Sequence, residues 1–144
     1  MDIVTILKQA VADRASDVFL VAGLPCSFRV NGVIHQVNDE RLLPPDTDEL
    51  LREIYRLAGE RDMTSLREKG DDDFAFAIPG VSRFRVSAYK QRGALSAVIR
   101  VITFQLPDYT ELGIPPYIIH CTSQGSGMIL ITGPAGSGKS TTLA

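Results

Sequence analysis

Gly133-Pro134-Ala135-Gly136-Ser137-Gly138-Lys139-Ser140 fits G-x-x-x-x-G-K-[ST], the pattern of a phosphate-cradling loop set between a strand and a helix. The flanking residues agree with that setting. Met128-Ile129-Leu130-Ile131-Thr132 reads as a short buried strand, and Ser140-Thr141-Thr142-Leu143-Ala144 as the first turn of a helix. Fewer than about one chain in a hundred of this length would carry the four fixed residues by accident, given glycine at roughly 7% of positions. The competing reading is a glycine-rich turn that binds nothing.

Chemistry explains the residue types. A triphosphate crowds several negative charges together. Gly133, Gly136 and Gly138 let successive backbone N–H groups approach those charges without a Cβ in the way. Lys139 supplies a point charge for the β- and γ-phosphates, and the following helix adds its partial positive end. The Ser140 hydroxyl is the expected Mg²⁺ ligand, and Thr141 completes the nucleotide-contacting set with Pro134, Ala135 and Ser137. Hydrolysis also needs an acidic partner for Mg²⁺ and a group that places the attacking water. Neither occurs between Ser140 and Ala144. The expectation is a polypeptide that holds part of a nucleotide, binds ATP weakly by itself and has no complete catalytic set.

The rest of the chain bounds the reading. Its 144 residues suit one ordinary domain plus the start of another. With 15 basic and 17 acidic residues, the net charge of -2 offers no long-range attraction to nucleic acid. No apolar run approaches the roughly 18 residues that a membrane helix needs, so membrane insertion is not expected. The opening Met1-Asp2-Ile3-Val4 lacks a basic run, and Cys26 and Cys121 are far apart without metal spacing. A cytoplasmic protein with reduced, structural cysteines is expected.

Residues 2–13 place Ile3, Ile6, Leu7, Ala10 and Val11 on one helical face, with Asp2 as cap. Asp17 to Gly23 and Ser27 to Asn31 read as strands. Asn31-Gly32 then predicts a hairpin into Val33 to Val37. Pro44-Pro45 is expected to break the chain, with Asp46 and Glu49 opening a helix that buries Leu50, Leu51, Ile54 and Leu57. A short helix over 60–69 ends at Gly70. Strands follow over 73–78, 82–90 and 95–102, with turns at Pro79-Gly80 and Arg92-Gly93. Residues 1–102 are thus an α+β domain with a mainly antiparallel sheet. The prolines and Gly113 between Thr103 and Pro116 mark a linker, followed by a short helix within 114–121. Asp71-Asp72-Asp73 reads as a solvated strand entry, Arg29 as a solvated strand residue, and His35 and His120 as non-catalytic.

Several stretches in the same order resemble one family: Ala15-Ser16-Asp17-Val18-Phe19-Leu20, Gly23-Leu24-Pro25, Phe28-Arg29-Val30-Asn31-Gly32, Pro79-Gly80-Val81-Ser82-Arg83-Phe84-Arg85-Val86, and Gly133 to Leu143. It is the family of type IV pilus retraction (twitching-motility) ATPases, within the secretion ATPase superfamily. The resemblance runs along the whole chain. It implies a PAS-like N-terminal domain at 1–102, an interdomain linker at 103–120, and the start of a RecA-like α/β motor domain at 121–144. It also implies a homo-hexameric ring with ATP and Mg²⁺ between the two domains, and turnover that moves one subunit's N-terminal domain against its neighbour's motor. Such a motor sits at the inner face of the bacterial inner membrane, beside pilus machinery proteins. The family's N-terminal domains give arginines to nucleotide phosphates. The matching positions are Arg85 and Arg100, then Arg83 and Arg92, with Tyr109, Leu112 and Gly113 bordering the adenine. The family's acidic and histidine boxes, which follow the loop, are not in this sequence, so it is expected to be cut from a longer chain. An assembly-type pilus ATPase, a type II secretion ATPase and a non-enzymatic PAS-like interaction domain are the alternatives.

Overall fold

The computed structural model describes residues 2–102, 109–110, 112–123, 125–134 and 137–143. The chain divides into two compact units, residues 1–104 and 105–144. The first unit is helix α1 (Ile3–Ala12), strands β1 (Asp17–Leu20), β2 (Pro25–Val30) and β3 (Val33–Arg41), helices α2 (Pro44–Leu57) and α3 (Thr64–Lys69), and strands β4 (Asp71–Ile78), β5 (Ser82–Gln91) and β6 (Ala94–Ile102). The strands form one six-stranded sheet in the order β3-β2-β1-β6-β5-β4. Every neighbouring pair is antiparallel. The sheet is two three-strand meanders side by side. The α2–α3 segment carries the chain from edge strand β3 to edge strand β4, so the last strand lands beside the first.

Local chemistry sets most of these elements. Asp2 accepts hydrogen bonds from the Val4 and Thr5 N–H groups at 3.3 and 3.1 Å, so it caps α1 as expected. Asn31 and Gly32 take φ of 51° and 81°, the double left-handed turn that matches strand twist in a tight hairpin. Gly70 ends α3 in the left-handed conformation. Along β5, Phe84, Val86 and Ala88 are buried, while Arg83, Arg85 and Ser87 face the other way.

The α2 start corrects the sequence reading. Pro44 and Pro45 do not precede the helix but form its first turn, where no backbone N–H is required. Leu43 is the cap. Asp46 lies one turn inside and accepts the Leu43 N–H at 2.7 Å. The buried stripe is Thr47, Leu50, Leu51, Ile54 and Tyr55, and Leu57 is 37% exposed rather than inside. This face joins Ile3, Ile6 and Leu7 of α1 and Leu66 of α3 over Val18, Leu20, Phe28, Phe84, Val86 and Ile99 of the sheet. These three helices therefore pack on one face of the sheet.

Asp72 also departs from expectation. Asp71 and Asp73 are exposed, but Asp72 is buried. It accepts two hydrogen bonds from Arg61, at 2.9 and 3.0 Å, and one from the Tyr55 hydroxyl at 2.9 Å. Arg61 also lies over the Phe74 ring, which meets Tyr55 edge-on at 4.7 Å. This cluster ties the α2–α3 connection to the sheet edge. The Arg61 hydrogen bonds hold the Asp72 carboxyl below its ordinary range. A depressed carboxylate stabilises the fold above the unfolded pKa, and that contribution is lost as pH falls through the folded value. Asp72→Ala should destabilise the domain by about 2 kcal/mol at pH 7, chiefly by orphaning the buried Tyr55 hydroxyl. The gap from the parent should narrow below about pH 4. Thermal melts at both pH values test this, and equal gaps would contradict it.

Candidate functional site

The glycine loop lies in the second unit. That unit also holds α4 (Pro116–Cys121), within the expected 114–121, and α5 (Lys139–Leu143). The expected strand Met128–Thr132 makes no ladder with described residues, and Met128, Ile129 and Leu130 are 82%, 51% and 77% exposed. Apolar composition supplies only a tendency, whereas a strand also needs a neighbour to bond with. The helix after the loop does form. The Thr142 N–H and hydroxyl both donate to the Gly138 carbonyl at 2.9 Å.

Two glycines are required by geometry. Gly138 takes φ +85°, and a Cβ on Gly133 would lie 2.6 Å from Ser137 Oγ. The Ser137 N–H donates to the Pro134 carbonyl at 3.3 Å. Lys139 folds back so that its ammonium donates to the same carbonyl. The lysine charge is thus carried across the loop, where an anion can take over from a neutral carbonyl. The Ser140 hydroxyl is exposed and makes no hydrogen bond among the described residues. A glycine-bearing loop, a cation and an exposed hydroxyl are the residue types a magnesium nucleotide needs. Ala135 and Gly136 lie outside the described residues, as does part of the expected linker, 103–108 and 111.

The arginines belong to the first unit, on the sheet face opposite α1, α2 and α3. Ladder register sets Ile34, Arg29, Asp17, Arg100, Arg85 and Ala75 opposite one another in a row across all six strands. Arg29, read as solvated from the sequence, donates from Nη1 to Asp17 Oδ2 at 3.2 Å and lies 5.0 Å over the Phe19 ring. Arg100 donates from Nε to Asp17 Oδ1 at 3.4 Å. Arg85 stands directly across from Arg100 and makes no ion pair among the described residues. Like charges set opposite each other destabilise a sheet, and here the Asp17 carboxylate beside Arg100 offsets part of that cost. Both line a hollow of about 300 Å³ together with Asp17, Asp73, Ser87 and Val98.

The expected arginines do not all converge. Arg83 is two residues from Arg85 on the same face. Arg92 is in the turn at the far end of β5, with φ +50°. It is seven positions along from Arg85, roughly 23 Å, so it does not join the cluster. Tyr109 and Leu112 are each 42% exposed, and Gly113 closes a turn with φ +68°. His35 is exposed on β3, and His120 Nδ1 lies 3.3 Å from the Pro116 carbonyl. Cys26 is buried, and burial pushes its thiol up to about 11. Cys121 is exposed, not a packed structural residue. No described helix is long and apolar enough to cross a membrane.

Sequence reading missed Asp17, the carboxylate at the centre of the row. Its only signal was a charged residue opening an apolar strand. Its partner Arg100 is 83 residues away.

Comparison with known proteins matches residues 1–144 to the family described as Type II/IV secretion system protein. The chain is 38% identical to the type IV pilus retraction ATPase PilT of Pseudomonas aeruginosa, over all of this chain and 41% of that protein. It is 33% identical to the type IV pilus ATPase PilU of the same bacterium, over all of this chain and 37% of that one. The solved structure of the pilus retraction motor PilT with bound ADP matches with a TM-score of 0.76 and 39% identity, covering 99% of this chain and 41% of that one. The Legionella pneumophila ATPase DotB matches with a TM-score of 0.77 and 30% identity, covering 100% and 41%. The chain spans about two-fifths of the length of these relatives. Its antiparallel sheet, its glycine loop and similarity along its entire length lead to one conclusion: this chain belongs to the type II/IV secretion system protein family, within the secretion ATPase superfamily.

Proposed function

We propose that this chain is the N-terminal part of a hexameric, ATP-hydrolysing motor that powers type IV pilus retraction. The observation that carries the reading is 38% identity, along the whole chain, to a pilus retraction ATPase. Residues 1–102 are the N-terminal domain, 103–120 the linker, and 121–144 the start of the motor domain. Gly133 to Thr141 cradle the phosphates, and Lys139 exchanges the Pro134 carbonyl for phosphate oxygens. Ser140 would hold Mg²⁺, which when bound neutralises charge on the β- and γ-phosphates.

In this reading the arginines of the N-terminal sheet also contact nucleotide phosphates. A guanidinium is planar and permanently charged, and its fork matches phosphate oxygens. Arg85 and Arg100 converge on one hollow and have the clearest role, with Arg83 flanking them. Arg92 is too far along β5 to share the same phosphate. Tyr109, Leu112 and Gly113 border the base. The motor works in the cytoplasm against the inner membrane, with pilus machinery proteins as partners and no nucleic acid.

The test is the pilus phenotype of cells lacking the protein. A retraction motor leaves pili that assemble and stay extended, with surface motility lost and restored by the intact gene. Cells without pili would point to an assembly-type motor instead, and normal piliation with impaired export to a type II secretion ATPase.

A further inference from the structure

We infer that Asp17 is a positioning residue for Arg100, holding that guanidinium so that its terminal nitrogens stay free for an anion. The inference rests on the nucleotide reading of the arginine face. Asp17 is the buried carboxylate of that face. Arg83, Arg85, Arg100 and Asp73 are exposed, whereas Asp17 is 4% exposed. A buried carboxylate needs partners, and Asp17 divides its two oxygens among three. Oδ2 accepts from Arg29 Nη1 at 3.2 Å and from the Ser16 hydroxyl at 2.9 Å, and Oδ1 accepts from Arg100 Nε at 3.4 Å. The backbone beside it is fixed on both sides. The Ser16 N–H donates to the Arg29 carbonyl at 2.8 Å, and the Val101 N–H donates to the Ser16 carbonyl at 2.9 Å.

The atom used on each arginine decides the roles. Arg29 is engaged through a terminal nitrogen and is further occupied by the Phe19 ring. Arg100 is engaged through Nε, so both terminal NH₂ groups remain available, and its side chain is 68% exposed. A guanidinium has five N–H donors in a rigid fork. Fixing one edge therefore aims the other. Charge works the same way. Arg29, Asp17, Arg100 and Arg85 are consecutive across four strands, about 5 Å apart. Without the carboxylate charge, three neighbouring cations would repel, and Arg100 would turn into solvent. With it, part of that repulsion is offset, and Arg100 stays held at Nε beside Arg85.

Asp17→Asn keeps the shape and removes the charge. In the full-length protein it should lower kcat for ATP by about 10- to 100-fold, the usual effect of losing an outer-shell partner, with ADP affinity changed by less than about threefold. In the Arg100→Ala background, Asp17→Asn should produce no further loss. Arg29→Ala removes an equivalent strand-to-strand ion pair but spares the Asp17–Arg100 contact, so turnover should stay near the parent value. If Arg29→Ala slows turnover as much as Asp17→Asn, or if the Asp17 and Arg100 effects simply add, Asp17 is a structural tie and the inference is overturned. It is equally overturned if Arg100→Ala is slow while Asp17→Asn turns over at the parent rate. If Arg100→Ala itself is harmless, the nucleotide reading of the face fails, and Asp17 has nothing there to position.

Discussion

Lys139→Ala in the full-length protein is expected to cut ATP hydrolysis by at least about 100-fold, the scale of losing one preorganised charge at a reacting phosphate. The lysine opens α5, and its ammonium spans the loop to the Pro134 carbonyl. That contact carries the side chain from the start of α5 back to the beginning of the loop. Removing it deletes the cation without touching the glycine geometry, since Gly138 keeps φ +85° and Gly133 its clearance from Ser137. The fold of residues 1–102 should be unaffected, because its core draws on α1, α2, α3 and the sheet. Phosphate release at fixed enzyme concentration is the readout. Turnover at the parent rate would leave the loop incidental, and the chain would then be read as a PAS-like interaction domain.

Arg100→Ala is expected to have an effect of the same order but a different form. Loss of an arginine that stabilises charge on the transferring phosphoryl group costs about 100- to 1000-fold or more in kcat. ADP lacks that group, so its affinity should stay within about threefold. Lys139→Ala should weaken ADP binding as well, because in the proposed site the lysine meets the β-phosphate. Phosphate-release kinetics together with calorimetry on ADP separate the two variants. If Arg100→Ala weakens ADP and ATP equally while leaving kcat intact, Arg100 is a uniform binding contact, and its transition-state role is lost.

What could be read from the sequence was what the chain encodes locally. Asn31-Gly32 is a hairpin because two adjacent residues take left-handed φ. The α1 cap is legible because Asp2 reaches only to Val4 and Thr5. The β5 alternation reports its own burial. The errors share a different cause. Asp72 looks like one of three solvated acids until Arg61 and Tyr55 are brought to it across 11 and 17 residues. Arg29 and Asp17 look like ordinary strand residues until β2 sets them opposite each other and β6 of the second meander brings Arg100 to β1. Met128–Thr132 has strand composition, but pairing is a property of neighbours and not of the segment. The arginines were candidates by resemblance. Register turned them into a geometry, with Arg85 and Arg100 facing each other and Arg92 far along the strand.

We propose that arginines of the N-terminal sheet contact the phosphates of a bound nucleotide in the full-length protein. Phosphorus NMR of a slowly hydrolysed ATP analogue bound to the full-length protein tests it most directly. In the parent the γ-phosphate resonance should be displaced from its position in the Arg85→Ala/Arg100→Ala variant, while the α-phosphate resonance stays the same in both. Identical γ-phosphate resonances in parent and variant, with the analogue fully bound, would mean that no arginine of this face reaches the nucleotide, and the account would be wrong.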